Sequence, residues 1–130
     1  MSVVSVFSGL EINLELKDEK RFLGEYRAEL FIDDNHPSGI GLMHSVAESP
    51  RNIVINKSSI TLCENDEVEF LTFDSPGDGF NVGDIFHCIL EYCRDNGRNP
   101  DHHPLFEGLE YNETIQHEDG VGAYIIHWGS

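Results

Sequence analysis

The sequence predicts an α+β domain: an antiparallel sheet of six or more strands with one main amphipathic helix over about 82–96. Three observations carry that expectation. Short runs alternate apolar and polar residues with the two-residue period of half-wet strands. One later segment repeats its apolar residues at helical period instead. Clusters of Gly, Pro, Asn and Asp separate the runs. All 130 residues fit one acidic domain, 1–130, with no internal repeat and no linker. A chain of this length buries roughly two-thirds of its unfolded surface on folding and needs no cross-link.

The elements follow in order. Leu10, Ile12, Leu14 and Leu16 alternate with Glu11, Asn13 and Glu15, predicting a strand. Lys17-Asp18-Glu19-Lys20 is a polar turn, and Tyr26, Ala28, Leu30 and Ile32 alternate with Glu25, Arg27 and Glu29 in a second strand. The two are expected to pair as a hairpin. Residues 33–39 are a dense turn signal, a weak segment runs to Met43, and Pro50 breaks the chain. Strands are predicted over 52–56, 59–63 and 68–73. Val82, Ile85, Phe86, Ile89, Leu90 and Cys93 then form one apolar stripe at i, i+3, i+4, i+7, i+8 and i+11, the signature of a helix packed on a sheet. Asn81 is its expected cap, with Asp84 completing a capping box, Arg94 in the last turn and Gly97 as the stop. Strands over 109–115 and 123–128, joined by a Gly120-Val121-Gly122 turn, close the chain.

Charge restricts function. The chain has 24 acids against 8 bases, a formal net charge of −16. Between Lys57 and Arg94 there are eight carboxylates and no base, and beyond Arg98 six more carboxylates and no base. Nucleic acid and anionic membrane are excluded as partners, because both are bound by cations that displace counterions. A basic protein partner or a metal is compatible. No signal peptide or apolar span of membrane length is read in the sequence. Cys63, Cys88 and Cys93 are an odd set, expected as reduced, buried thiols in a cytoplasmic protein.

From Ala47 to Trp128 the chain resembles an uncharacterised domain of fungal, chiefly basidiomycete, proteins. The resemblance rests on Ala47-Glu48-Ser49-Pro50 before Ile53-Val54-Ile55, on Gly79-Phe80-Asn81-Val82-Gly83-Asp84-Ile85, on Phe106-Glu107-Gly108-Leu109, and on a last strand ending in Trp128. The family's extra, often basic, stretch after its helix is reduced here to residues 98–105. The resemblance implies an α+β fold in a non-secreted protein. It carries no catalytic residues.

Few motifs carry chemistry. His102-His103, with His117, His127 or Glu107, are the residues from which a zinc or nickel site would be drawn, but the paired ligand spacings of such sites are missing, so no metal or other cofactor is expected. His87 and Glu91 share a helix face with Asp84 and Asp95, which reads as the wet face of an amphipathic helix. Cys88 and Cys93 lack redox spacing, no nucleophile elbow is present, and Glu64-Asn65-Asp66-Glu67 fails the calcium-loop pattern. That cluster reads as a hairpin tip. The leading expectation is a non-enzymatic module that binds a cationic protein surface or self-associates. Its partner-binding candidates are Glu64, Asp66, Glu67 and Glu69 at the tip, with Asp84, Glu91 and Asp95 on the helix. Two alternatives stay open: an acidic inhibitor or nucleic-acid mimic, and a small hydrolase or isomerase with a histidine and carboxylate site.

Overall fold

The helix stripe becomes the helix, and the β-rich runs around 28–32, 59–63, 71–73, 109–115 and 123–128 become strands. The computed structural model describes residues 21–23, 26–44, 52–64 and 69–129. Its elements are β1 (Arg21–Phe22), β2 (Ala28–Ile32), β3 (Ile40–His44), β4 (Ser59–Cys63), β5 (Leu71–Asp74), α1 (Val82–Asn96), β6 (Leu105–His117) and β7 (Gly120–Gly129). The strands form one sheet in the spatial order β3-β2-β6-β7-β4-β5, with β1 added to β6. The α+β expectation holds in this form. The expected strand over 10–16 and its hairpin lie outside the described residues.

Three expectations are corrected. The sheet is mixed, because β4 runs parallel to β7 with Leu62 opposite Tyr124 and Cys63 opposite Ile125. The remaining pairs are antiparallel. A parallel pair needs a long crossover, and here β5, α1 and β6 all lie between the partners. Residues 52–56 make a single bridge, Ile55 to Phe80, instead of a strand. Phe80 directly precedes the helix cap, so a ladder has nowhere to continue. The final turn is Glu118-Asp119, between His117 and Gly120 of the register, while Gly122 lies inside β7.

Helix α1 begins and ends as its residues dictate. The Asn81 side chain accepts from the Asp84 N–H at 2.8 Å, and the Asp84 carboxylate accepts from the Asn81 N–H at 3.0 Å. Gly97 follows in the left-handed region with φ 62°. The buried face holds Val82, Ile85, Phe86, Cys88, Ile89, Tyr92 and Cys93. Cys88 and Tyr92 join the expected stripe, whereas Leu90 is only half-buried. This face meets Leu30, Ile40, Ile60, Leu62, Leu109 and Ile126 of the sheet in the main core. Each such side chain contributes roughly 1.5–3 kcal/mol on burial. Neighbouring strand residues point to opposite faces. Thus Leu62 enters the main core while Cys63 joins Ile115 and Ala123 in a smaller cluster on the outer face.

Candidate docking face

On β2 the alternation sends Ala28 and Leu30 towards the helix and Glu29 and Phe31 to the outer face. Phe31 is therefore a large apolar residue on the wet side. The register sets Met43 of β3 and Leu105 of β6 opposite Glu29, and Gly41 opposite Phe31. Phe31, Met43 and Leu105 consequently share the outer face. Their exposures are 39%, 58% and 39%. Four of the five exposed large apolar side chains among the described residues, Ile32 being the fourth, lie on β2, β3 and the start of β6. The Phe31 ring lies so close over Gly41 that a Cβ there would fall 2.5 Å from it. Absence of that carbon leaves room for the outer end of the ring over the edge strand.

Beside this patch opens a groove of about 560 Å³, with Tyr26, Arg27, Glu29, Met43, His44 and Leu105 around it and Phe106 in its wall. Its base is an aromatic cluster. Phe86 of the helix stacks on His44 at 5.3 Å and meets Phe106 edge-on at 5.1 Å and Tyr26 at 6.3 Å. Phe106 in turn meets Trp128 at 6.0 Å. Such contacts fix ring orientations and give the groove a firm floor. Large exposed apolar patches rimmed by polar residues mark interaction surfaces.

The acidic candidates are distributed differently. Glu64 pairs with Arg98 at 2.5 Å. Arg98 also lies 4.5 Å over the Trp128 ring and donates to the carbonyls of Asn99, His102 and His103. Asp84 is engaged in the helix cap, and Glu91 lies 3.5 Å from Arg94. Arg94 Nε also donates to the Ile40 carbonyl of the edge strand β3 at 2.9 Å. Glu69 and Asp95 are exposed, and Asp66 and Glu67 lie outside the described residues. Burial pushes the Tyr92 hydroxyl up in pKa, and Glu64 and Glu69 add to the rise. Those two carboxylates thus sit near the helix, though Glu64 is already paired.

The histidines separate. His102 and His103 are exposed with rings 4.2 Å apart. No group of three or more His, Cys, Asp or Glu is placed to hold a metal among the described residues. His117 Nε2 lies 3.0 Å from the Gly122 carbonyl, so that nitrogen carries the hydrogen. His127 Nε2 lies 2.7 Å from Glu110 Oε1 on the outer face. Sequence reasoning missed Glu110, although the two final strands place both residues on one parity. Burial pushes the Cys88 and Cys93 thiols up to about 12, which removes them from thiolate chemistry near neutral pH. No helix among the described residues is long and apolar enough to cross a membrane. No protein-family model, curated protein or solved structure matches the chain.

Proposed function

We propose that the chain is a non-enzymatic interaction module that docks a cationic protein on the outer face of β2, β3 and the start of β6. The observation that carries this reading is the gathering of Phe31, Met43 and Leu105 on one exposed face beside a firm groove. Apolar anchors at the centre of an interface set affinity, while surrounding charge sets rate and partner choice. With a net charge of −16, the complementary surface is basic. Exposed Glu29 lies inside the patch, and exposed Asp34 and Glu107 belong to segments beside it. Engagement of Glu64, Asp84 and Glu91 within the fold favours this reading over a phosphate-like array of acids. Three buried cysteine thiols suit the reducing setting of the cytoplasm.

The test is comparative capture. Wild-type chain, Met43→Asp, Leu105→Asp and the control Val121→Asp are immobilised and exposed to lysate at low and high salt. Basic proteins held by wild type and Val121→Asp, but lost from both patch variants and at high salt, support the reading. An identical set on all four surfaces sinks it. A dimer in sedimentation that Met43→Asp dissolves would assign the face to a second copy instead.

A further inference from the structure

Around the irregularity at 112–116, Ile115 and Ala123 of the β6–β7 hairpin pack with Cys63 of β4 on the outer face, while Tyr124, opposite Leu62, lies on the main-core side with Tyr111 against it. At the hairpin tip the Asp119 carboxylate accepts from the Thr72 hydroxyl at 3.0 Å, and the Thr72 and Thr61 hydroxyls lie 2.7 Å apart. A small pocket of about 150 Å³ remains here, and Asp119, Tyr111, Tyr124 and Lys57 contribute to its wall. Tyr111 and Tyr124 are direct partners in the β6–β7 register. Their ring centroids are 4.7 Å apart and their planes meet at 46°, so the rings form a wedge. Gly122 makes room for it: a Cβ there would collide with the Tyr111 hydroxyl. The ammonium of Lys57 lies 3.9 Å from the Tyr111 centroid and 5.0 Å from that of Tyr124.

An ammonium over two aromatic faces is a cation–π arrangement, the one used to recognise lysine-like head groups. Lys57 itself is exposed and can swing into water. We propose that the Tyr111–Tyr124 wedge is a recognition site for the alkylammonium group of a partner's lysine, and that Lys57 occupies it from within the chain as a competitor. The inference rests on the reading of a cationic partner. Asp119 at the pocket wall and the overall negative field favour an incoming cation. Docking at the groove and lysine capture at the wedge use separate parts of the long strand β6, since Leu105 serves the first and Tyr111 the second.

The experiment uses the whole chain and three small probes: Nα-acetyl-lysine methylamide, its Nε-trimethyl form, and the neutral norleucine analogue. Binding is followed by NMR on the Tyr111 and Tyr124 ring signals. Lys57→Gln, which empties the wedge, is expected to bind both charged probes at least about tenfold more tightly than wild type, a gain of about 1.4 kcal/mol. The ratio between the charged probes states which head group the wedge prefers. Tyr111→Leu in the Lys57→Gln background, checked for folding by its amide spectrum, is expected to lose the binding. The proposal is overturned if Lys57→Gln binds no better than wild type, or if norleucine binds as well as lysine. The norleucine comparison needs no destabilising substitution. A failed titration alongside Met43-dependent capture overturns the wedge and leaves the docking face standing.

Discussion

Asn81 and Asp84 close two backbone donors of the helix start with their own side chains, each at 3.0 Å or less. Removal of a cap of this kind costs about 1 kcal/mol. Asn81→Ala is accordingly expected to lower the urea midpoint by that equivalent, with the m-value unchanged. The helix cysteines report a different property. Burial first, then the nearby Asp84 and Glu91, raises the Cys88 thiol from 9.0 to about 12, and burial likewise raises Cys93 to about 12. An unfolded chain releases these protons near 9, while the native chain holds them until about 12. Stability from this source is therefore complete below about pH 9 and lost as pH rises towards 12. Urea midpoints at pH 7.5 and 10.5 should differ in that direction, and Cys88→Ala should shrink the difference. An equal midpoint at both values would contradict the burial of these thiols. Native protein should also resist a thiol reagent at pH 8 until denaturant is added.

At the scale of elements, the helix carries the sharpest expectation. Ile89 is fully buried and His87 is exposed on the opposite side. An unpaired carboxylate in the core costs several kcal/mol, whereas an exposed substitution usually stays within about 0.5 kcal/mol. Ile89→Asp should abolish the folded circular-dichroism signal, and His87→Ala should melt with wild type. This helix was legible because stripe, cap and stop all agree in a continuous segment. Strand β2 was legible from its alternation, and β4 and β7 from short runs of β-formers, for the same local reason. The parallel β4–β7 pair was not, because register between distant segments leaves no trace in either one. Residues 52–56 have strand chemistry but face the entrance to the helix, so tertiary context stopped the ladder at Ile55. The docking face was partly written in the sequence. Phe31 sits on the polar parity of β2, and that broken alternation was the available signal. Met43 and Leu105 became visible only when register placed both opposite Glu29. The acidic candidates misled in part, since charge counts do not reveal that Glu64 faces Arg98.

Across the whole molecule, 24 acids repel one another with only 8 bases to offset them. Salt screens such repulsion over distances near the Debye length, about 8 Å at 0.15 M. Melting temperature should therefore rise with sodium chloride between about 0.01 and 0.3 M, and submicromolar binding to duplex DNA should be absent throughout. A melting temperature that falls with salt would mean that ion pairs such as Glu64–Arg98 outweigh the repulsion. The strand order carries one more consequence, which concerns synthesis. β6 and β7 come last in the chain yet lie in the middle of the sheet. While the ribosome is still making them, β2–β3 and β4–β5 exist as two hairpins with no strand between them, linked only through the core face of α1. Ribosome-bound chains ended after Pro104 should be cleaved by a protease as fast as unfolded chains, with protection arriving only once β7 has emerged. Resistance at the shorter length would show that the early hairpins settle without their keystone. Until then both hairpins keep bare edges, the condition that invites strand-to-strand aggregation, so a pause in translation over the last strands leaves this protein most dependent on a chaperone.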